Sequence, residues 1–459
     1  MLEILWSIVA FLVAISVLVA VHEYGHFWVA RRLGFKVLQF SIGFGRPLLR
    51  WRSDDADAVE YRLSAIPLGG YVKMLDEREG EVPAEEAHRA FNRRPVWARI
   101  AVLAAGPAAN FLFAIAAYWL MFMSGVEEIT PYVGAVRADS VAAEAGLLAD
   151  DVIESVGGQR TESLDQALIA FFDALLTDGV IELSVVDVDG ERHEVTLDVS
   201  DRVSELTEPD ALFEGLGIVI GPRLPAVAAS VTDDKPAALA GLMAGDQIVA
   251  IDDQRIEFWQ EMQSYISARP GEDVTIAIVR NGETREIPLT IGAEQDEGGQ
   301  TTGRIGIGSP QYDRAVFAER LYTLRRYGPI EGVRVSVTET WRLTALSMRF
   351  LSRMVTGDVS LRNAAGPIMI AAYAGDSAQA GFNRFLQFLA MISISLGIVN
   401  LLPVPILDGG QIVVAGIEGI KGKPLSMRAA VIGQQIGLAM LIALMGFVFY
   451  NDITRLLGS

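Results

Sequence analysis

The stretch LVAVHEYGHFWVA, residues 18–30, places His22, Glu23 and His26 inside a long apolar run. An ionisable side chain at membrane depth costs at least ~2.5 kcal/mol, so three together are expected to be paired or functional. On an α-helix, residues four apart share a face, so His22 and His26 can bind one metal ion while Glu23 projects beside it. Zinc favours neutral imidazole ligands, and Glu23 is then a candidate general base toward water.

Four stretches are long and apolar enough to cross a hydrocarbon core ~30 Å thick. They cover residues 4–30, 96–123, 385–402 and 429–450. The first begins with Glu3 rather than with basic residues, and no small-residue cleavage site follows it, so we expect this segment to be retained. The expected fold is a polytopic α-helical membrane protein with four transmembrane helices.

Basic residues near the span ends predict the orientation in the membrane. Such residues mark the cytoplasmic side, so both termini and the long segment between spans two and three are predicted to be extracytoplasmic. In a bacterium this describes a multi-pass protein of the cytoplasmic (inner) membrane with a periplasmic central segment. The flanking residues are Arg31, Arg32, Lys36, Arg93, Arg94, Arg99, Lys421, Lys423 and Arg428.

The central segment is strongly acidic. The whole chain carries a formal charge of −19, while the part from Val126 to Gly306 holds 36 acidic and 11 basic residues. Such a balance argues against binding of nucleic acid and for a solvated module. The chain has no cysteine, so a metal site must use His, Asp or Glu. His88 and His193 lie in polar surroundings and are expected to be solvated surface residues.

The acidic segment contains an internal repeat. AEAGLLADDVI (143–153) and ALAGLMAGDQI (238–248) are identical at seven of eleven positions, at an offset of 95 residues. Asn281-Gly282 separates two strand-like runs and predicts a hairpin. Each copy ends in a Gly-rich strand, GLGIVIG (215–221) or GRIGIG (303–308). Two tandem β-rich modules of about 90 residues are therefore expected between the second and third transmembrane helices.

The repeated pattern resembles the PDZ domain, and the Gly-rich strands resemble its carboxylate-binding loop in a circularly permuted arrangement. A PDZ domain binds a peptide carboxyl terminus by adding it as a strand. The alternative, that the modules bind no peptide and act as bulk or spacers, stays open. The candidate groove residues are Gly215, Leu216, Gly217, Ile218, Ile305, Gly306 and Ile307.

A third metal ligand is expected at the end of the third span. The stretch SLGIVNLLPVPILDGGQ, residues 395–411, contains Pro403 and Pro405, which must break the helix and leave an irregular segment that presents Asp408. Irregular backbone at membrane depth is tolerated only inside protein or along a wet cavity, and a buried metal site meets that condition. The ligand types alone would also suit cobalt or manganese.

His-Glu-Tyr-Gly-His, together with Asn400-x-x-Pro403-x-Pro405-x-x-Asp408-Gly409, resembles the site-2 protease family of intramembrane zinc metalloproteases. The stretches SIGFGRPL (41–48), GPAANF (106–111) and LRNAAGPI (361–368) match as well. The resemblance implies that His22, His26 and Asp408 bind Zn²⁺, that Glu23 activates water and that Asn400 helps hold the substrate. It also implies that strands between residues 37 and 74 pair with the substrate. The candidates there are Gly43, Phe44, Gly45, Gly69 and Gly70.

The segments predicted from these features follow one another along the chain. They are the first transmembrane helix (1–36), a membrane-associated β-hairpin region (37–95), the second transmembrane helix (96–125), two PDZ-like domains (126–222 and 223–310), an amphipathic interfacial linker (311–384), the third transmembrane helix with its Asp-Gly loop (385–428), and the fourth transmembrane helix with the C-terminal tail (429–459).

The resemblance implies regulated intramembrane proteolysis, in which single-pass membrane proteins are cut within the lipid bilayer after another protease has trimmed them. Membrane-bound anti-sigma factors of envelope stress signalling and remnant signal peptides are the expected substrates. The tandem modules would gate access by excluding untrimmed substrates or by binding a new carboxyl terminus. A catalytically idle PDZ scaffold is the main alternative, and a metal transporter is another. The intact Glu23 argues against an idle scaffold. A metal transporter is disfavoured because the chain offers one candidate metal site and no further polar groups that would pass an ion across the bilayer.

Overall fold

The protein is described by a computed structural model, which divides into two compact units. The membrane unit comprises Met1–Val126, Arg326–Leu351 and Ala364–Leu456, and the strand-rich unit comprises Glu127–Arg325, Ser352–Asn363 and Leu457–Ser459. The predicted module boundary at 222–223 and the first part of the predicted linker, residues 311–321, lie outside the described residues. The described residues are 2–54, 57–78, 80–208, 211–221, 224–295, 301–310 and 322–458.

Helices dominate the membrane unit and recur in short form between the strands. Short 3₁₀ turns cover Ala87–Arg89, Phe91–Arg93 and Leu361–Asn363. The α-helices are α1 (Leu2–Arg32), α2 (Val96–Ser124), α3 (Val141–Glu144), α4 (Leu164–Thr177), α5 (Val203–Leu206), α6 (Ala211–Leu216), α7 (Pro236–Leu239), α8 (Trp259–Ser267), α9 (Pro329–Thr356), α10 (Pro367–Gln379), α11 (Phe382–Leu401), α12 (Asp408–Lys421) and α13 (Met427–Gly458).

Most strands belong to the strand-rich unit. The strands are β1 (Val37–Arg52), β2 (Glu60–Met74), β3 (Val126–Ile129), β4 (Val133–Val136), β5 (Val152–Val156), β6 (Gln159–Arg160), β7 (Val180–Val186), β8 (Arg192–Asp198), β9 (Ile218–Ile220), β10 (Ser230–Val231), β11 (Gln247–Ile251), β12 (Gln254–Arg255), β13 (Asp273–Arg280), β14 (Glu283–Thr290), β15 (Gly292–Gln295), β16 (Thr301–Arg304), β17 (Ile307–Gly308) and β18 (Tyr322–Arg325).

Four helices of the described residues are long and apolar enough to span a membrane, as the sequence predicts. The spans are Ile4–Arg32, Val96–Ser124, Phe382–Leu401 and Val431–Thr454, within α1, α2, α11 and α13. The prolines after the third span end α11 at Leu401, as expected. The prediction of an irregular Asp-Gly loop is wrong in one respect, because α12 begins at Asp408 itself.

A buried ion pair joins α2 to α12. Nη1 of Arg99 donates to Oε2 of Glu418 at 2.8 Å, and less than a tenth of either side chain is exposed. The other carboxylate oxygen of Glu418 accepts a hydrogen bond from the N–H of Leu425 at 3.0 Å. Asp408, ten residues before Glu418, lies about 15 Å further along the helix. The ion pair therefore holds the helix that carries Asp408 against α2.

Asp452, near the end of α13, anchors the start of α10. Its fully buried carboxylate accepts hydrogen bonds from the N–H groups of Gly366, Ile368 and Met369 at 2.8, 2.9 and 3.2 Å. Orphan N–H groups at a helix start need acceptors, and an anion there also interacts favourably with the helix dipole. A side chain from α13 thus replaces a local cap.

The β1–β2 hairpin is more elaborate than its two strands indicate. The start of β1, residues 37–42, pairs on one side with residues 70–74 and on the other with residues 60–63. The end of β1, residues 47–52, pairs with residues 60–64. The chain therefore forms four short runs in the spatial order 47–52, 60–64, 37–42 and 70–74, with residues 70–74 at one edge.

The strand-rich unit contains two sheets with the same strand order. The first is β6-β5-β7-β8 and the second is β12-β11-β13-β14. Each sheet packs on its own apolar core. In each half, an early strand pairs antiparallel with the late Gly-rich strand, β4 with β9 and β10 with β17. The predicted hairpin at Asn281-Gly282 is present, with φ of 54° and 82°, as a tight two-residue turn requires.

The predicted Gly-rich strands are shorter than expected. Gly215 and Leu216 lie in α6 rather than in a strand, because Leu216 packs into the apolar core as part of a helical turn. Gly217, with φ of 79°, ends that turn and lets the chain enter β9 at Ile218. In the second copy, Ile305 and Gly306 lie between β16 and β17, whereas Ile307 begins β17.

The repeated aspartates, Asp151 and Asp246, have different partners. Arg280 donates two hydrogen bonds of 2.6 Å to Asp246 and thereby lowers the pKa of that carboxyl group. Burial raises the pKa of Asp151, and Nε2 of His193 lies 3.5 Å from its Oδ2. The expectation that His193 is only a solvated surface residue is therefore wrong. The second copy therefore has an arginine–aspartate ion pair where the first has a histidine beside its aspartate.

We expect Asp246→Asn to speed hydrogen exchange of the β13 amides at least about tenfold at neutral pH. The substitution leaves the Arg280 guanidinium without the carboxylate it pairs with, and loss of one partner of such a pair is destabilising. The stabilisation is present above the ordinary pKa of the carboxyl group and is lost as the pH falls through its lowered folded-state pKa. Mass spectrometry of the full chain in detergent measures the exchange.

The matched control is Asp151→Asn, which removes a charge that burial already disfavours. It should change exchange of the β7 amides less than about threefold. An equal or larger effect at Asp151 than at Asp246 would contradict this account of the two pairs.

Candidate metal centre

The three predicted ligands meet at one point between α1 and α12. Nε2 of His22 lies 3.2 Å from Oδ2 of Asp408, and Nε2 of His26 lies 3.4 Å from the same oxygen. The two Nε2 atoms are 3.2 Å apart. Among the described residues, these three form the one cluster of His, Asp and Glu whose ligand atoms could hold a metal ion. The helical spacing of the histidines and the helix start at Asp408 produce this convergence.

The spacing of the three atoms fits a zinc ion. Tetrahedral zinc with N or O ligands at about 2.0–2.1 Å places neighbouring ligand atoms about 3.3–3.4 Å apart, close to the distances observed here. Oδ2 of Asp408 is buried and receives no well-aligned hydrogen bond from the described residues. A buried carboxylate oxygen facing two imidazole nitrogens is costly unless a cation or a proton lies between them.

The far side of each imidazole contacts α2. Nδ1 of His26 lies 2.7 Å from the backbone carbonyl oxygen of Val102, and Nδ1 of His22 lies 3.1 Å from the side-chain amide of Asn110. Asn110 is fully buried, and its own backbone carbonyl accepts a hydrogen bond from the Ser393 hydroxyl at 2.9 Å. Three helices therefore fix the two rings.

Small residues allow α1 and α2 to approach closely at the site. A Cβ atom on Gly25 would meet the backbone oxygen of Ala105 and the side chain of Ala109. A Cβ atom on Gly106 would overlap both imidazole rings, at Nε2 of His26 and Cε1 of His22. Glycine is thus required at Gly106 because the rings occupy the space beside it.

Glu23 lies next to the edge run of the hairpin. Its side chain is almost buried, and a Cβ atom on Gly70 would lie 2.8 Å from Cγ of Glu23. Gly70 pairs with Ile42 and begins the run of residues 70–74. The candidate general base and this strand are therefore neighbours, within side-chain reach of each other.

The remaining substrate-binding candidates fall into two groups. The ring of Phe44 stacks on Tyr71 at 6.2 Å and covers Gly69, so these residues belong to the same hairpin surface. Gly43 and Gly45, with φ of 87° and 85°, bend β1 between its two pairing runs. Asn400 is half-buried in the last turn of α11. Its side chain makes no hydrogen bond within the described part of the chain, so its role stays a prediction.

A comparison with protein families matches residues 10–444 to peptidase family M50. The regulator of sigma E protease of Salmonella typhi and the regulator of sigma-E protease RseP of Escherichia coli K12 are each 40% identical over 458 residues, which cover 99% of this chain and 100% of theirs. This chain belongs to peptidase family M50. The family consists of zinc-dependent metalloproteases, so the resemblance to the site-2 proteases is confirmed, as are the expected enzyme class and cofactor.

The sequence alone did not single out the residues of α2 that contact the imidazoles. Gly106 and Asn110 lie in the GPAANF stretch, which by sequence is only a match to the family. A glycine and an asparagine four residues apart in an apolar span share one helix face, and that spacing was the available signal. The contact of His26 with the backbone carbonyl of Val102 has no sequence signal, because any residue at position 102 supplies a carbonyl group.

We expect Gly106→Ala to weaken zinc binding about tenfold or more, because the added methyl group displaces both imidazoles. Changes around metal ligands typically cost 10–100-fold in affinity. Competition with a chromophoric chelator on the purified chain measures the effect. Gly446→Ala in α13 is the matched control, because a Cβ there meets no atom within 4 Å. Equal zinc affinity of the two variants would contradict the packing account.

Proposed function

We propose that this protein cleaves membrane-spanning segments of other proteins, with His22, His26 and Asp408 holding the zinc ion and Glu23 acting as general base. The observation that carries the proposal is the convergence of the three ligand atoms beside Glu23, within helices long and apolar enough to span a membrane. A zinc ion in such a site supplies Lewis acidity to the peptide carbonyl and to the attacking water.

In this proposal Glu23 transfers the proton between the attacking water and the leaving group. Its carboxylate takes a proton from the attacking water and delivers it to the nitrogen of the departing amine. It follows His22 directly on α1, so one helix fixes both groups. Its near-complete burial limits access of bulk water, which strengthens electrostatic interactions in the site.

The edge run at residues 70–74 is the proposed substrate-binding strand. Peptide hydrolysis needs an extended backbone, whereas a transmembrane substrate is helical with its amides paired internally. An edge strand can pair with the unwound segment through backbone hydrogen bonds. The contact of Gly70 with Glu23 supports this position, since a paired substrate would lie next to the base. Asn400 is proposed to orient the substrate or its developing oxyanion.

We further propose that the two similar halves of the strand-rich unit are tandem PDZ-like domains, at residues 126–222 and 223–310. Their equal strand orders and the pairing of each early strand with a late Gly-rich strand support this. The proposed groove lies at Gly217 and Ile218 in the first domain and at Gly306 and Ile307 in the second. These domains would limit access to substrates that have already been trimmed.

The proposed substrates are single-pass membrane proteins, such as an anti-sigma factor after a first cut, and remnant signal peptides. Two relatives carry the names regulator of sigma E protease and regulator of sigma-E protease RseP, which supports an anti-sigma factor as substrate. In this proposal the protein lies in the bacterial inner membrane, with the PDZ-like domains and both termini outside the cytoplasm.

Glu23→Gln should keep zinc but lower cleavage of a model single-pass substrate about a thousandfold, because loss of a general base costs 10²–10⁴ in rate. Asp408→Ala should weaken zinc binding at least about tenfold. Metal analysis and gel-based cleavage in detergent measure both effects. The control is Asp376→Asn, an exposed acid on α10. Equal cleavage by Glu23→Gln would remove the enzyme assignment and favour an idle PDZ scaffold.

The orientation can be tested directly, because the chain contains no cysteine. A membrane-impermeant maleimide should label Val188→Cys in spheroplasts and Lys421→Cys only after the membrane is opened. Both positions are exposed, so burial does not explain a difference between them. Labelling of Lys421→Cys in intact spheroplasts would reverse the proposed topology.

A further inference from the structure

The two metal-facing imidazoles differ in how the protein holds their Nδ1 atoms. Nδ1 of His26 faces the backbone carbonyl oxygen of Val102. A carbonyl oxygen only accepts hydrogen bonds, so Nδ1 of a neutral His26 carries the proton. The Nε2 lone pair of His26 is then directed toward Asp408, as a metal ligand requires. No side-chain substitution can remove this backbone acceptor.

Nδ1 of His22 faces no backbone carbonyl among the residues that the structure describes. This nitrogen lies 3.1 Å from Nδ2 of Asn110, and a 180° rotation of that amide group would place Oδ1 there instead, so the side chain can either donate to Nδ1 or accept from it. If Nδ2 donates, the ring proton sits on Nε2, and Nε2 cannot bind a metal. If Oδ1 accepts, Nε2 keeps its lone pair. With Nδ2 toward His22, Oδ1 of Asn110 is buried and has no hydrogen-bond partner among the described residues, so no second contact holds the amide in that orientation.

We propose that Asn110 is a positioning residue that fixes the tautomer of His22, with Oδ1 accepting the Nδ1–H group and leaving Nε2 free for zinc. This inference rests on the proposed zinc site. Metal-bound histidines commonly donate their second ring N–H to an oxygen acceptor. Asn110 supplies that oxygen from a different helix than the ligand itself.

The surroundings of Asn110 hold this residue in one position beside His22. The residue is fully buried, and the hydrogen bond from Ser393 to its backbone carbonyl ties its position on α2 to α11. Gly106 lies one turn earlier on α2 and touches both rings, so α2 presents a single continuous surface to the two ligands. In the interior of a membrane protein, no bulk water can replace a lost acceptor.

Three variants of the full-length protein in detergent test the proposal. Asn110→Leu keeps the size of the side chain but removes the acceptor. Asn110→Asp keeps an acceptor and has no donor when ionised. Ser393→Ala removes only the hydrogen bond to the backbone carbonyl. Competition with a chromophoric zinc chelator gives the affinity of each variant, independent of proteolytic activity.

Asn110→Leu should lose 10–100-fold in zinc affinity, the range typical of outer partners of metal-bound histidines. Asn110→Asp and Ser393→Ala should stay within about threefold of the unsubstituted protein. If Asn110→Leu fails to fold, Asn110→Ala takes its place with the same expected loss. Unchanged affinity of the apolar variant would overturn the proposal, and so would an equal loss in Asn110→Asp, which would indicate a donor or packing role.

Failure of the zinc site itself is distinguishable from failure of this inference. If the unsubstituted protein binds no zinc, or if His22→Ala binds it equally well, the proposed function fails. If the unsubstituted protein binds zinc and His22→Ala does not, while Asn110→Leu binds normally, only the role of Asn110 fails.

Discussion

The lack of water at membrane depth is the constraint on which the site depends. Every polar group there must be satisfied by protein or by a bound ion, because lipid offers no hydrogen-bond partners. His22 and His26 meet this requirement on their outer side through α2, and on their inner side they face each other and Asp408. The site is therefore complete only when three helices are assembled. The same packing that satisfies the polar groups also arranges the ligands.

Close backbone approach is the second requirement, and glycines provide it. Gly25 and Gly106 let α1 and α2 meet with the imidazoles between them. Gly409 and Gly410 follow Asp408, and a Cβ on either would overlap backbone atoms of the preceding turn. Small residues at helix contacts are typical of membrane proteins, where packing rather than the hydrophobic effect drives association. Here they also determine how near the ligands come to one another.

The sequence predicted the four spans, the convergence of His22, His26 and Asp408 and the hairpin turn at Asn281-Gly282, because each depends on a local pattern with a fixed physical meaning. It did not predict the double pairing of β1, since register over a bulged hairpin depends on contacts distant in sequence. It also missed α6, where burial of Leu216 in the core overrides a strand-like pattern. The contact between Asn110 and His22 was not predicted, because the two residues lie 88 positions apart in the sequence.

In the proposed mechanism, the edge run at residues 70–74 addresses an energetic problem that the three candidate metal ligands alone leave unsolved. Unwinding a transmembrane substrate exposes backbone N–H and C=O groups, and each unsatisfied group in lipid costs several kcal/mol. Pairing with an edge strand restores the hydrogen bonds of alternate residues, so part of that cost is offset where the backbone must be extended. Because Gly70 touches the side chain of Glu23, the offset falls beside the candidate base. Without such a strand, the substrate would stay helical beside the candidate metal ligands, and its peptide bonds would not be presented in the extended form that hydrolysis needs.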